Sequence, residues 1–202
     1  MIEYRAISLG EMETNCYLLW DESTKASVII DPADDGVFLS QELETMQLIP
    51  NYIVASHGHF DHLLGALDLK LIYQVPFYLH SNDAFLLEKT SSSASYWLKH
   101  KIAQPKLVVD GDLANIGTLV FGESTLLVIK TPGHTPGSVC FYAPDEGLLF
   151  SGDTISDERV GRADLRYSSS ADLMTSIKKL RKLPLETIVL PGHGRQFALG
   201  MI

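Results

Sequence analysis

At four places in this 202-residue chain a short apolar run breaks into a glycine-flanked histidine or aspartate, and no other feature constrains the fold so tightly. The densest is His57-Gly58-His59-Phe60-Asp61-His62, which sets four metal-capable side chains in six residues. The run before it, 51–56, contains β-branched Ile53 and Val54 and reads as a short buried strand. The run after it, 63–67, reads as the first turns of a helix. On such a strand-to-helix turn, imidazoles and a carboxylate can converge on one point. Those are the ligands that zinc and non-haem iron prefer. Histidines that only cap a helix would account for one of these side chains, not for three beside an aspartate.

The other three places repeat the pattern. The run 126–130 leads into Thr131-Pro132-Gly133-His134-Thr135-Pro136-Gly137, 147–150 into Ser151-Gly152-Asp153, and 187–190 into Pro191-Gly192-His193-Gly194. Each ligand type is expected at the carboxyl end of a strand, where sheets flanked by helices place their sites. Of the seven histidines, only His80 and His100 fall elsewhere. Taken alone, His134 or His193 reads as a hydrogen-bonded turn histidine; beside the first cluster, both read as ligands.

Composition narrows the setting. With 46% hydrophobic and 20% charged residues, the chain is long enough for one packed core, expected over residues 1–202. No apolar run has the length of a membrane span, and the first residues lack the basic-then-apolar order of a signal peptide. Cys16 and Cys140 have neither metal-ligand spacing nor disulfide density, so they read as buried thiols in a reduced cytoplasm. A formal charge of −9 argues against nucleic acid as a partner. The basic run 178–182 reads as the solvated last turn of a helix. Nothing in the sequence fixes an oligomeric state.

Strands are expected near 2–9, 16–20, 27–30, 51–56, 74–79, 107–109, 119–121, 125–129, 139–142, 148–150 and 187–190. Helices are expected at 38–46, 83–89 and 171–183. The last is amphipathic through Leu173, Met174, Ile177, Leu180 and Leu183, is capped by a serine and is stopped by Pro184. The serine-rich segment 90–95 reads as a flexible loop. Asp110 and Asp112 read as turn residues. Pattern alone supports an α/β fold with buried strands.

The ordered series HGHFDH, TPGHTPGS, SGD and PGHG, with Thr14-Asn15-Cys16-Tyr17-Leu18-Leu19 and Ile30-Asp31-Pro32 before it, resembles the metallo-β-lactamase superfamily and spans nearly the whole chain. That resemblance implies a four-layer αββα sandwich of two mixed β-sheets with helices outside. It also implies two divalent metal ions, zinc first and iron or manganese next. His57, His59 and His134 would hold one ion, and Asp61, His62 and His193 the other, with Asp153 bridging. The last ligand His193 and the phrase Gly161-Arg162-Ala163-Asp164-Leu165 resemble the glyoxalase II-like branch. The C-terminal helical domain that carries glutathione contacts in that branch is not expected here.

A pair of divalent cations is a clamp for displacement at an electrophilic carbon or phosphorus, with a hydroxide available at neutral pH. The implied activity is hydrolysis of a thioester or related activated ester through a metal-bridging hydroxide, with Asp61 as the catalytic carboxylate that orients it. The alternatives are a mononuclear iron persulfide dioxygenase-like oxidoreductase and a lactonase. Candidate substrate residues are Trp97 and Lys99 in the segment 96–101, and Arg162 and Tyr167 in a stretch that also holds Arg159 and Arg166. Aromatics beside cations suit a small acidic or thioester-bearing molecule. Tyr96 and Trp97 read equally well as a helix face packed on the core.

Overall fold

The computed structural model describes residues 1–157 and 160–202. Its strands form two six-stranded sheets. The first follows chain order: β1 (Ile2–Leu9), β2 (Thr14–Asp21), β3 (Ala26–Ile30), β4 (Ile49–Val54), β5 (Phe77–Leu79) and β6 (Gly111–Asp112). β1 to β3 pair antiparallel, whereas β3 to β6 pair parallel. The second sheet comprises β7 (Thr118–Phe121), β8 (Ser124–Lys130), β9 (Val139–Ala143), β10 (Leu148–Gly152), β11 (Ile188–Pro191) and β12 (Phe197–Ala198), likewise in chain order. There only β10 and β11 run parallel.

Alternation along the strands builds the layers. In β2 and β3, Tyr17, Leu19, Val28 and Ile30 face the second sheet and meet Phe121, Leu126, Phe141 and Phe150. Their neighbours Cys16, Leu18 and Ile29 point the other way, onto Leu39 and Leu43 of α1 (Gly36–Thr45) and Leu69 of α2 (Ala66–Tyr73). On the far side, Cys140, Tyr142 and Leu149 pack on Leu173, Ile177 and Leu180 of α5 (Ser170–Leu180). Strands buried on both faces carry continuous apolar runs, which is why β3 and β9 read so clearly in the sequence. Each fully buried Phe or Leu contributes about 1.5–3 kcal/mol, so the inter-sheet layer and the two sheet–helix layers all contribute substantially to stability. The result is the expected four-layer αββα sandwich.

Four local expectations need correction. Residues 90–95 are not a loop but the body of α4 (Thr90–Leu98), which follows the short α3 (Ala84–Leu87). The serines there bond to their own helix: Ser92 Oγ to Lys89 O and Ser95 Oγ to Ser91 O. Ser91 and Ser95 Oγ also receive the backbone N–H groups of Gln104 and Ile102. Residues 107–109 form no strand; Lys70 Nζ holds Val108 O and pairs with Asp110, and only Gly111–Asp112 joins the sheet. Met174 does not share the apolar face of α5 but is exposed, because the helix presents its neighbour Leu173 to the sheet. That helix also ends at Leu180, short of Pro184, although its serine cap, Ser169, is as expected. Cys16 and Cys140 are buried and unpaired with each other. Among the described residues no helix is long and apolar enough to cross a membrane.

Candidate metal centre and pocket

The four ligand-bearing segments leave the carboxyl ends of β4, β8, β10 and β11 on the same edge of the sandwich. Their side chains gather into two groups: His57, His59, His134 and Asp153, and Asp61, His62 and His193. In the first, His57 Nε2 and His134 Nε2 lie 2.9 and 3.0 Å from His59 Nδ1. In the second, Asp61 Oδ2 is 3.6 Å from His62 Nε2 and 3.3 Å from His193 Nε2. Asp153 stands between them. Its Oδ2 lies 3.4 Å from His134 Nε2 and 4.0 Å from His57 Nε2, and its Oδ1 lies 3.6 Å from His62 Nε2 and 3.7 Å from His193 Nε2.

The outer ring nitrogens explain how the inner ones are aimed. His62 Nδ1 bonds Asp31 Oδ2 at 3.0 Å, His134 Nδ1 bonds Arg162 O at 3.0 Å, and His193 Nδ1 bonds Met12 O at 3.1 Å. His57 Nδ1 donates to Ser56 Oγ, which in turn donates to Asp31 Oδ2 at 2.7 Å. His59 is turned the other way, its Nε2 2.7 Å from the Tyr167 hydroxyl. With the outer nitrogen protonated, every inner nitrogen presents a lone pair, the form a metal requires. The inner His62 Nε2 is buried and has no hydrogen-bond partner. In the neutral imidazole such a nitrogen is an unsatisfied buried acceptor, costly unless a cation meets it. The donor set and this orphan both fit a metal ion.

Electrostatics separates the groups in the metal-free protein. Burial, then the neighbouring imidazoles, drives His57 well below the usual histidine value, and burial and His134 bring His59 to about 3. Burial opposes protonation of His62 as well, but Asp61, Asp31 and Asp153 outweigh it and raise it to about 10. Burial likewise works against the charge on Asp61, yet His62 and His193 hold its carboxyl below the usual range.

Local backbone makes these approaches possible. Gly152 has φ +48°, and a Cβ on Gly192 would lie 2.8 Å from His62 Cε1 and collide with Asp153 Oδ1. Asp31 itself sits at φ +51°, a conformation that aspartate tolerates better than most residues. The hairpin between β1 and β2 closes the other side. Thr14 Oγ1 donates to Asp61 Oδ2 at 3.0 Å, and Asn15 Nδ2 donates to Pro191 O and Gly194 O.

All seven expected ligand positions are thus brought together. Five of them, His59, Asp61, His134, Asp153 and His193, line a cavity of about 760 Å³, within the range of small-molecule sites, while His57 and His62 are buried. Trp97, Arg162 and Tyr167 line it, as do Leu86, Leu165 and Arg195. Trp97 and Tyr96 are exposed rather than packed on the core. Lys99 lies outside the cavity, its Nζ 4.5 Å from the centre of the Tyr96 ring, because it takes the left-handed turn that ends α4. Arg162 pairs with Asp164 at 2.9 Å, and Arg159 falls outside the described residues. Asp110 and Asp112 stay out of the site, but Asp112 is a residue of strand β6 rather than of a turn: its Oδ1 accepts from Ser81 N and Ala114 N, and Asp110 Oδ2 accepts from Phe77 N. Sequence reasoning missed the supporting roles of Asp31, Ser56, Thr14 and Asn15. The Ile-Asp-Pro and Thr-Asn motifs were visible, but their partners lie far along the chain.

Comparison with known proteins agrees with this geometry. A family description, "Metallo-beta-lactamase superfamily", matches residues 9–193. The chain is 36% identical to a "Probable metallo-hydrolase YqgX" of Bacillus subtilis over 198 residues, 96% of this chain and 90% of that one. It is 29% identical to a "Hydroxyacylglutathione hydrolase GloC" of Haemophilus influenzae over 202 residues, 96% and 92% of the two chains. Among solved structures, a "BLEG-1 B3 metallo-beta-lactamase" superposes with TM-score 0.90 at 35% identity, covering 98% and 95% of the chains. "TTHA1623 in a di-iron-bound form" gives 0.86 at 37%, covering 98% and 96%. With the ligand series in order, two mixed sheets between helices and a family match across nine-tenths of its length, this chain belongs to the metallo-β-lactamase superfamily, whose members are mostly metal-dependent hydrolases.

Proposed function

We propose that this chain is a two-metal hydrolase of a thioester or related activated ester. The observation that carries the reading is the placement of Asp153, which turns one oxygen toward each histidine group. His57, His59 and His134 would hold one cation and Asp61, His62 and His193 the other, with Asp153 shared. Two bound divalent cations supply electrophilic activation of an acyl oxygen and a hydroxide nucleophile at neutral pH. Asp61, steadied by Thr14 Oγ1, orients the attacking water by accepting its hydrogen bond and passes the proton outward. The di-iron form of TTHA1623 supports a pair of metals, and leaves iron beside zinc and manganese as the occupant.

The acyl substrate is supported by the cavity and by one relative. Arg195 offers a cation, Arg162 a guanidinium paired with Asp164, and Trp97, Leu86 and Leu165 offer apolar wall, which together suit a small acidic thioester. The likeness to a hydroxyacylglutathione hydrolase points to the same chemistry. The buried free thiols of Cys16 and Cys140 suit a reducing cytoplasm as the setting. A second reading, β-lactam hydrolysis, draws on the superposition with BLEG-1.

A panel decides between them. The metal-loaded protein is assayed with S-D-lactoylglutathione, simpler thioesters, lactones, phosphodiesters and a chromogenic cephalosporin, and with a persulfide under oxygen. A thioester is expected to lead in kcat/KM. A tenfold lead for any other class, about 1.4 kcal/mol of transition-state preference, overturns the thioester assignment. Oxygen uptake on the persulfide by protein holding one iron overturns the hydrolase.

A further inference from the structure

Asp83 is fully buried and belongs to neither histidine group. It lies at the end of a short 3-10 turn, Ser81–Asp83, that leads from β5 into α3. Its carboxylate receives three hydrogen bonds, and the donors come from two different ligand loops. Oδ2 accepts from Gly58 N at 2.8 Å and from Thr135 Oγ1 at 2.7 Å, and Oδ1 accepts from Gly137 N at 2.7 Å. Gly58 separates His57 from His59, and Thr135 follows His134. One carboxylate therefore joins the only two loops that supply the first group's three imidazoles.

The contacts are as close as glycine allows. A Cβ on Gly58 would lie 2.9 Å from Leu86 Cβ and 3.0 Å from Asp83 Cβ, and one on Gly137 would lie 2.7 Å from Asp83 Oδ1. The carboxylate is itself fixed from behind, since Asp83 N donates to His80 O at 2.9 Å. Hydrogen bonds from three donors to a buried carboxylate are strong, and removing the acceptor strands the donors. Asp83 makes no hydrogen bond to the second group's loops: Asp31 holds His62 there (and, through Ser56, His57 of the first group), Met12 O holds His193 and Thr14 holds Asp61.

We propose that Asp83 is the positioning residue of the first histidine group, locking the 57–59 and 134–137 loops in the register that brings His57, His59 and His134 onto one metal ion. This rests on the metal-centre reading, from which it can be separated. Replacing Asp83 by Asn keeps the shape, but turns an amide NH2 against the N–H of Gly58 or Gly137. Thr135→Val removes one of the three donors and leaves the carboxylate in place.

The test follows metal affinity in the full-length chain loaded with Co²⁺ and competed with a chelating dye. His134→Ala serves as the marker for which equivalent belongs to the first group, and urea unfolding of each metal-free protein is measured alongside. Asp83→Asn is expected to weaken the first-group equivalent by roughly 10–100-fold and to shift its cobalt spectrum, as loss of outer hydrogen bonds to metal ligands does. Thr135→Val should produce a smaller loss in the same equivalent, and the second equivalent should hold its affinity in both. If wild-type protein binds both metals and Asp83→Asn or Thr135→Val lowers only urea stability, Asp83 is a fold staple and the proposal is wrong. Should Asp83→Asn fail to fold, unchanged first-group affinity and spectrum in Thr135→Val would reject it alone. If wild-type protein takes up no Co²⁺, the metal centre falls and the proposal falls with it.

Discussion

Asp31 Oδ2 accepts a hydrogen bond from His62 Nδ1 at 3.0 Å and, through Ser56 Oγ at 2.7 Å, steadies His57 as well. A single buried carboxylate thus sets the tautomer of one imidazole in each group, leaving His62 Nε2 unpartnered and aimed inward. Asp31→Asn can keep only part of this pattern, because its amide NH2 would face a donor. Metal affinity is expected to drop by about 10–100-fold, with the second group affected most. Chelator competition measures it. Wild-type affinity in the variant would mean that His62 is aimed by packing alone.

Asp153→Asn removes the shared charge while keeping the side-chain shape. Hydrolysis is expected to fall by roughly 10²-fold or more, with loss of bound metal. The checks are turnover and elemental analysis on the same preparation. Full metal content with near-wild-type turnover would exclude Asp153 as the shared ligand.

The cavity wall gives a graded prediction. Trp97 is exposed on α4 and lines the cavity, so Trp97→Ala should raise KM by roughly fivefold with little change in kcat. Tyr167→Phe removes the partner of His59 Nε2 and should lower kcat itself, by about tenfold. Lys99→Ala should change neither, since Lys99 lies over Tyr96 outside the cavity. Steady-state kinetics on one thioester separates the three, and a strong KM effect from Lys99→Ala would redraw the substrate path.

Legibility in the sequence followed the range of the interactions involved. The buried strands β3 and β9 were readable as continuous apolar runs, and the seven candidate ligand positions because each follows an apolar run and is flanked by glycine or by its neighbours in the His57–His62 cluster. Helix α4 was not. Serines are weak helix formers, and here their hydroxyls serve carbonyls within the helix and amides at residues 102 and 104. The run 107–109 is apolar enough for a strand, but Val108 is exposed and its carbonyl is taken by Lys70. Asp31, Asn15 and Asp83 carry no local mark of their roles, since their partners lie 25 to 179 positions away.

Acid sensitivity has a separate source at the far end of the sheets. The Ser124 hydroxyl donates to Asp21 Oδ2 at 2.6 Å and, with Ser23, holds this buried carboxyl well below the usual carboxylate range. A depressed folded-state value contributes stability above the unfolded value of about 4, and that contribution is lost as pH falls toward the folded value. Ser124→Ala should therefore move the acid-unfolding midpoint of the metal-free protein upward, as followed by circular dichroism. An unchanged midpoint would show that Asp21 does not govern acid stability.

The paired centre is tested most directly by counting metal in protein purified without added metal, by elemental analysis against chain concentration. Close to two equivalents per chain, falling toward one or fewer in Asp153→Asn, is the predicted result. A single tightly held iron in the wild type, unaltered by Asp153→Asn, would contradict it.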